Sequence, residues 1–332
     1  MYKVRNFING KETSVSEDFL DIYDPSTGEI QGKVVDSSLL DFNNTIDSSL
    51  KAFELWSKVT PLKRSRIISN YKKLLEDNIN ELAEIICKEH GKTFDDAIGS
   101  ITRGIEVVEF ACGIPHLLKG EFSQNVGTDI DSWSVRQPLG ITLGITPFNF
   151  PAMVPLWMFP ISIACGNSFI LKPSEKDPSC AIKMASLFKE AGLPDGVLNV
   201  INGDKKIVDH LLNSNSISSV SFVGSTPVAK YIYEKSAKNL KRVQSLGGAK
   251  NHLVVMPDSN LDQAVDGIMG AAFGSAGERC MAISVAVAVG DIANDLVDKV
   301  KSRAENLKVA PWVDKNSDMG PLISKDHLSK VT

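Results

Sequence analysis

The chain has 332 residues and a formal net charge of −4 at pH 7, and its 36 lysines and arginines are scattered along the sequence. It therefore lacks the basic stripe by which proteins bind nucleic acid or an anionic membrane, and its length favours two domains that share a large core. The apolar stretch 153–165 is interrupted by Pro155 and Pro160 and is too short to cross a bilayer. The N-terminus has no signal-type apolar segment, so we expect a soluble, cytoplasmic protein.

Five cysteines are present, and none has CxxC or Cys/His metal-binding spacing. This pattern predicts neither a disulfide framework nor a metal site. We expect free thiols, of which Cys112 and Cys165 lie in apolar contexts typical of small buried side chains.

The first 120 residues predict two short hairpins followed by long helices. The turn residues Asn9-Gly10 and the segment 25–28 interrupt short apolar runs, as hairpin turns do. Apolar residues at helical spacing then predict three helices, over 39–56, 62–90 and 94–118.

From Gly140 onward the pattern changes to short apolar runs separated by helix-sized segments. The runs are "GITLGI", "SFIL", "VLNVI", "SVSFVG" and "HLVVM". Their alternation with helices is typical of β-α units on a parallel sheet. A strand is expected over 283–289 and a helix over 292–304.

Asn149 follows the first of these runs, in "GITPFNFP". Open α/β sheets bind ligands at the carboxyl ends of their strands. An asparagine amide there can donate a hydrogen bond to an oxygen that becomes negatively charged. The alternative is an ordinary loop asparagine that caps the following segment.

Two further strand ends suit a nucleotide. Lys172 and Glu175 follow "FIL", where a glutamate can accept both ribose hydroxyls and repels the extra phosphate of NADP, so NAD is favoured. Lys172 can reach the same ribose, or it is a solvated surface lysine. After Gly224, either Ser225 or Thr226 suits a helix N-cap. Free N–H groups at that helix start can bind a pyrophosphate, although an ordinary capped helix needs no ligand.

Cys280 lies in the polar, glycine-containing loop "GSAGERC". The neighbouring Arg279 favours the thiolate, which is the form that attacks a carbonyl carbon. The alternative is a small buried hydrophobe. Gly247 and Gly248 follow another strand and permit close approach of a cofactor or of the cysteine loop.

Glu278 and His252 are the two candidates for a general base near Cys280. Glu278 is adjacent to an arginine, and His252 starts a predicted strand, so neither is favoured. We expect no catalytic role for the other histidines, which are His90, His116, His210 and His327.

Arg103 lies nearly opposite the main apolar stripe of its predicted helix, as a solvated side chain would. It nevertheless shares a second face with Val107 and Phe110, at i, i+4 and i+7. That mixed face suits a pocket wall that holds a carboxylate.

In order along the chain, "TPFNFP", "LKPSE", "FVGST" and "GERCMA" together resemble the aldehyde dehydrogenase superfamily. More narrowly, "PLWMFPISIACGNSFILKPSEKDPS", "LGGAKNH" and "GSAGERCMA" are similar to the CoA-acylating methylmalonate-semialdehyde dehydrogenases of valine and inositol breakdown. The resemblance implies an α/β fold and a homo-oligomer, either tetramer or dimer. The implied divisions are N-terminal hairpins and helices over 1–120, a hairpin of the oligomerisation region over 121–139, a parallel Rossmann-type NAD-binding domain over 140–248, and a partial α/β catalytic domain over 249–332.

By the same resemblance, Cys280 is the nucleophile, and Asn149 with the Cys280 backbone N–H forms the oxyanion hole. Arg103 and Arg279 hold the substrate carboxylate. NAD is the cofactor and CoA a co-substrate. The implied reaction oxidises methylmalonate or malonate semialdehyde, releases CO2 and gives propanoyl-CoA or acetyl-CoA. The residues that line the NAD site are Thr146, Phe148, Lys172, Glu175, Lys176, Ser225 and Gly247.

One feature separates this chain from the hydrolytic members, and two depart from the family's pattern. Hydrolytic members carry a glutamate immediately before "LGG", whereas Ser245 stands here and is not a general base at neutral pH, which favours CoA over water. Ala229 replaces a glycine found in many members. Members are also longer, so the resemblance implies a missing C-terminal part. A hydrolytic aldehyde dehydrogenase with His252 or Glu278 as base, and a fragment that retains only NAD binding, are the alternatives.

Overall fold

A computed structural model describes residues 1–332. The strands, in chain order, are β1 (Tyr2–Val4), β2 (Asn6–Ile8), β3 (Lys11–Thr13), β4 (Phe19–Tyr23), β5 (Ile30–Val35), β6 (Phe122–Gly127), β7 (Ile130–Trp133), β8 (Ile141–Ile145), β9 (Ser168–Lys172), β10 (Leu198–Val200), β11 (Ile217–Val223), β12 (Arg242–Leu246), β13 (Asn251–Val255) and β14 (Ile283–Ala288). The α-helices are α1 (Leu39–Trp56), α2 (Pro61–Asp77), α3 (Ile79–His90), α4 (Phe94–Cys112), α5 (Ile114–Leu117), α6 (Met153–Ala164), α7 (Ser179–Glu190), α8 (Lys205–Asn213), α9 (Thr226–Lys238), α10 (Leu261–Phe273), α11 (Ala293–Glu305) and α12 (Lys325–Val331).

The two hairpins expected near the N-terminus are confirmed. β2 and β3 pair antiparallel around Asn9 and Gly10. Their φ angles of 50° and 73° lie in the left-handed region that a two-residue hairpin turn requires. β4 and β5 also pair antiparallel, and β1 joins β5 in parallel.

The expectation of single helices over 62–90 and 94–118 is wrong. Asn78, with φ −109°, separates α2 from α3, and Gly113 separates α4 from the short α5, which contains Pro115. Asparagine competes for backbone hydrogen bonds and proline lacks an N–H, so both favour helix ends. The helices therefore end at Asn78 and Gly113, although the helical spacing of apolar residues continues on both sides of these two positions.

The expected parallel sheet is confirmed, with the strand order β12-β11-β8-β9-β10-β2-β3. β8 to β12 run parallel to one another. The chain proceeds outward from β8 to β10 and then returns to the other side of β8 to form β11 and β12. The β8/β11 boundary is thus the topological switch point, where connections leave in opposite directions and a crevice opens at the carboxyl ends of the strands.

Helices cover both faces of this sheet. A cluster of 38 buried residues, drawn mainly from α2, α3, α4, α6 and α7, fills one side. A cluster of 14, from α1, α8, α9 and the strands, fills the other. The apolar stretch with two prolines is α6, which packs closely against α4. None of the helices combines the length and the apolar composition that crossing a membrane requires.

The last eighty or so residues build a smaller layer. β13 and β14 pair in parallel, and α10 and α11 pack around Val255, Ile268 and Leu296. The strand and the helix expected in this region are β14 and α11, within one residue at each end. The β6–β7 hairpin forms a separate two-stranded sheet that exposes Phe122 and Trp133.

Candidate active site

The carboxyl ends of four neighbouring strands bring together residues that are far apart in the sequence. Thr146 directly follows β8, Lys172 ends β9, Ser225 follows β11 and Gly247 follows β12. Because these strands are adjacent in the order β12-β11-β8-β9, the four positions lie along one sheet edge that includes the switch point.

Two of these positions supply buried polar groups. Thr146 is 5% exposed, and its hydroxyl has no hydrogen-bond partner. Lys172 is buried, which excludes the solvated-lysine alternative, and its Nζ lies 3.0 Å from Oε2 of Glu175. Burial raises the pKa of Glu175, but the charge of Lys172 outweighs it and leaves the pKa below its ordinary value. The carboxylate is therefore ionised at neutral pH and can accept hydrogen bonds.

The start of α9 is open to solvent. Ser225 is the exposed N-cap, and its hydroxyl makes no capping hydrogen bond. The Thr226 hydroxyl instead accepts from the backbone N–H of Gly248 at 3.0 Å. A Cβ on Gly247 would lie 3.0 Å from the same hydroxyl, so glycine permits the loop to approach the helix start. Unpaired N–H groups at such a helix start favour a bound anion.

Phe148, three residues after β8, lies against two histidine rings and a lysine. Its ring lies 5.7 Å from the ring of His327 and 6.0 Å from that of His90. The Nζ of Lys176 lies 5.2 Å from the centre of the Phe148 ring, a cation–π distance. The two residues expected beside a nucleotide are thus in contact with each other.

The loop that carries Cys280 begins with a left-handed turn. Ser275, Ala276 and Gly277 have φ angles of 52°, 55° and 72°. Such angles are unfavourable for residues with a Cβ, so the surrounding structure must hold them. The backbone N–H of Ser275 donates to Oδ2 of Asp96 on α4 at 2.9 Å.

Cys280 is half-buried against an apolar cluster of Phe150, Met153 and Val154. Its carbonyl oxygen accepts from Nδ2 of Asn251 at 2.9 Å. This packing places the thiol beside the chain segment that follows Asn149.

Asn149 connects β8 to the same loop. Its Nδ2 donates to the backbone carbonyl oxygen of Glu278 at 2.7 Å, and its backbone carbonyl oxygen accepts from Nζ of Lys92 at 2.7 Å. Lys92 is 1% exposed, and burial lowers its pKa to about 8. One N–H of the Asn149 amide is engaged by Glu278, which leaves the second N–H for another acceptor.

Neither candidate base contacts Cys280 through a hydrogen bond. The Glu278 carboxylate is 2% exposed and faces His90 and His327 instead. His252 is exposed, and its Nδ1 lies 2.8 Å from the carbonyl oxygen of Lys250.

The hydroxyl of Ser245 is also engaged elsewhere. It donates to the carbonyl oxygen of Ala229 at 2.7 Å. The position immediately before "LGG" therefore offers no free base to a water molecule.

The two arginines contact different carboxylates. Arg103 is largely exposed and lies 3.0 Å from Glu106, while Arg279 is partly buried and pairs with Asp96. Asp96 and Arg103 are seven residues apart on α4, so they share a face about 10 Å apart. Gly99 lies between them, and no atom comes within 4 Å of the place a Cβ would occupy. No hydrogen bond or ion pair joins the two arginines to a common group.

Sequence reasoning missed four residues around the loop. Lys92, Asp96, His90 and His327 all approach it, and the two histidines, for which the sequence predicted no catalytic role, face the Glu278 carboxylate. They sit at a helix end, in a first helical turn and near the last residue, positions that carry no local sign of a site. Only their contacts across the fold reveal them.

The fold, the crevice and the cysteine loop define a class of oxidoreductase. The chain belongs to the aldehyde dehydrogenase family, because the sequence model of that family matches residues 12–332. The expected aldehyde dehydrogenase fold is confirmed.

Relatives in this family carry more specific names. A malonate-semialdehyde dehydrogenase of Pseudomonas aeruginosa is 52% identical over 333 residues, covering 100% of this chain and 67% of the relative. Malonate-semialdehyde dehydrogenase 3 of Geobacillus kaustophilus is 50% identical, covering 99% and 68%. The chain thus spans about two thirds of the length of these relatives.

Two solved structures superpose closely. The methylmalonate-semialdehyde dehydrogenase of Oceanimonas doudoroffii has a TM-score of 0.97 and 52% identity, covering 100% of this chain and 68% of the other. A Sinorhizobium meliloti 1021 protein complexed with NAD has a TM-score of 0.98 and 52% identity, with the same coverage.

Proposed function

We propose that this chain is an NAD-dependent semialdehyde dehydrogenase that oxidises malonate or methylmalonate semialdehyde through a thioester on Cys280. The bond between the α-carbon and the substrate carboxylate breaks to release CO2, a proton takes its place on that carbon, and the acyl group passes from Cys280 to the thiol of CoA as acetyl-CoA or propanoyl-CoA. The observation that carries the proposal is the 2.7 Å hydrogen bond from Asn149, at the switch point of the sheet, to the loop of Cys280. The names of the relatives support the choice of substrate.

The first step needs a thiolate and an oxyanion donor. The Cys280 sulfur adds as a thiolate to the aldehyde carbon, and the carbonyl oxygen becomes an alkoxide. The free N–H of Asn149 donates to that oxygen, and such a donor is worth about 3 kcal/mol of barrier. When bound, NAD supplies the acceptor for the hydride that leaves the former aldehyde carbon.

The crevice residues fit the dinucleotide. The unpartnered Thr146 hydroxyl and the open N-cap at Ser225 offer hydrogen-bonding groups that nothing in the chain satisfies. The ionised Glu175 suits ribose hydroxyls and disfavours the additional phosphate of NADP. In this proposal the NAD site consists of Thr146, Phe148, Lys172, Glu175, Lys176, Ser225 and Gly247.

CoA is the proposed acceptor because the site offers no base for water. The Ser245 hydroxyl is committed to Ala229, and the Glu278 carboxylate faces two histidines. A thiol loses its proton far more readily than water does, so CoA needs less help to attack the thioester.

The substrate carboxylate requires a cation near Cys280. Arg279 is adjacent in the chain, and its pairing with Asp96 holds the guanidinium beside the face of α4 that also carries Arg103. We assign both arginines to the carboxylate, and a planar guanidinium suits bidentate binding of it.

The division of the chain and its assembly belong to the same proposal. Residues 1–120 and 140–248 form the NAD-binding part, and 249–332 carry the nucleophile. The hairpin within 121–139 exposes Phe122, Ile130 and Trp133, a surface that suits a homo-oligomer, either dimer or tetramer. The cytoplasm, where thiols stay reduced, suits the free cysteines.

Rapid mixing of the chain with NAD and malonate semialdehyde tests the proposal. We expect a burst of NADH in the absence of CoA and sustained turnover only when CoA is added. Cys280→Ser is the matched control, in which the burst disappears while NAD still binds. Equal steady rates with and without CoA would instead identify a hydrolytic enzyme. NAD binding without any NADH would refute catalysis by this chain.

A further inference from the structure

The Glu278 carboxylate lies two residues before Cys280 and takes no part in the chemistry proposed above. Its Oε1 accepts from the backbone N–H of Ile323 and lies 3.3 Å from Nε2 of His327. Its Oε2 lies 3.5 Å from Nε2 of His90, and the two side chains are 2% and 1% exposed. Neither of these last two atoms has another hydrogen-bond partner.

Two buried atoms that face each other without partners require a hydrogen between them. A carboxylate oxygen and an imidazole nitrogen that lacks a hydrogen are both acceptors, so their approach is unfavourable unless one of them carries a hydrogen. One hydrogen satisfies both atoms, either on a protonated Glu278 that donates to Nε2 or on the Nε2–H tautomer of neutral His90 that donates to the carboxylate, because Nδ1 of His90 has no partner that fixes the other tautomer. Burial keeps the pKa of His90 well below its ordinary value and raises the pKa of Glu278 to about 7.

Two glycines allow the fold to bring Glu278 and His90 together near Cys280. Gly91 ends α3 in the left-handed conformation with φ 87°, directly after His90. A Cβ on Gly320 would overlap the carbonyl oxygen of Gly91. Glycine at 320 therefore lets the segment that carries Ile323 and His327 pack against the end of α3.

We propose that Glu278 and His90 share one proton and that this pair is a positioning device for the Cys280 loop and the Asn149 amide. The proposed catalytic step relies on that amide, so the device serves the proposed function. The link to the amide is direct, because the backbone carbonyl of Glu278 accepts from Asn149 Nδ2 at 2.7 Å. A second link runs through Phe148, whose ring lies against the rings of both His90 and His327.

Three titratable groups besides His90 face Glu278. Lys92 follows α3, Lys176 follows β9, and His327 belongs to α12, while His90 ends α3 itself. The two lysines favour the ionised carboxylate and oppose the effect of burial. When Glu278 ionises, the hydrogen between the pair lies on Nε2 of neutral His90, and the charge of the carboxylate is drawn towards the two lysines. The loop that connects Glu278 to Cys280 must then adjust.

The reactivity of the Cys280 thiol measures this adjustment without substrate or NAD. The rate of alkylation by iodoacetamide is followed against pH on the 332-residue chain, with mass spectrometry of the Cys280 peptide. In the unmodified sequence we expect an inflection near pH 7 from Glu278. In Glu278→Gln the amide donates to His90 at every pH, and this inflection is lost. Glu190→Gln, at an exposed helix end, is the matched control and keeps it.

His90→Gln provides a second, independent variant. Its amide can donate permanently to the carboxylate, which favours ionisation, so the inflection moves to lower pH. An inflection that persists unchanged in a folded Glu278→Gln chain would overturn the proposal. If Glu278→Gln does not fold, an unmoved inflection in His90→Gln overturns it. Alkylation does not depend on turnover, so a chain that forms no NADH refutes the proposed function and leaves this test intact.

Discussion

Replacing Asn149 with alanine tests whether its side chain donates to the oxyanion or only anchors the Cys280 loop. The substitution removes one hydrogen bond to the Glu278 carbonyl, which costs about 1 kcal/mol of unfolding free energy. It also removes the free N–H that we assign to the alkoxide, which raises the barrier by about 3 kcal/mol and slows the NADH burst by 10²–10³. The expected effect on rate is therefore much larger than the expected effect on stability.

Asn251 offers a matched control, because the same amide group anchors the loop from its other side. Its Nδ2 donates to the carbonyl oxygens of Cys280 and Ala282 at 2.9 and 3.0 Å. Asn251→Ala therefore loses two hydrogen bonds, or about 2 kcal/mol of unfolding free energy, but no donor to the alkoxide.

Stopped-flow absorbance gives the burst rate, and urea denaturation gives the stability of each variant. We expect Asn251→Ala to be the less stable chain and Asn149→Ala to be the slower one. If Asn149→Ala slows the burst no more than Asn251→Ala does, then Asn149 is only an anchor and the assigned oxyanion hole is wrong.

Two further predictions concern the acyl acceptor and pH. Ser245→Glu should gain sustained NADH formation without CoA, because a general base supplies about 10²–10⁴ in rate, and a folded variant that still requires CoA would contradict the assigned role of this position. Burial lowers the pKa of Lys92 to about 8 from its ordinary 10.5. The folded chain therefore loses this proton at lower pH than the unfolded chain, so its unfolding free energy rises by about 3 kcal/mol between those values. Urea denaturation should show that Lys92→Met lacks this rise, and equal pH dependence in both chains would refute it.

The geometry of the loop explains why its anchors are spread over the fold. Three successive left-handed residues, from Ser275 to Gly277, are unfavourable in isolation. Asp96 receives both the Ser275 N–H and the Arg279 guanidinium, so one carboxylate holds the two ends of the turn. A change at Asp96 would therefore move Cys280 without touching it.

Local signals in the sequence predicted the elements and several candidate site residues, while the family resemblance added others, such as Thr146, Phe148 and Lys176. The β2–β3 turn, the strands of the parallel sheet and the position of Cys280 in a polar loop were all readable, because turn chemistry and apolar period act over a few residues. The continuous periodicity across Asn78 and Gly113 gave the wrong helix ends, since a short interruption by one residue barely changes an apolar pattern.

The sequence by itself determined which chemical groups are present and which elements carry them: a cysteine beside an arginine, an asparagine after a strand, and a serine two residues before a pair of glycines. Only the tertiary structure decided which of them meet. The Asn149–Glu278 bond spans 129 positions, and the Arg279–Asp96 pair spans 183. Strand order and helix packing create such contacts, and those depend on burying one shared core, so no local pattern around His90 or Glu278 could reveal that the two side chains face each other.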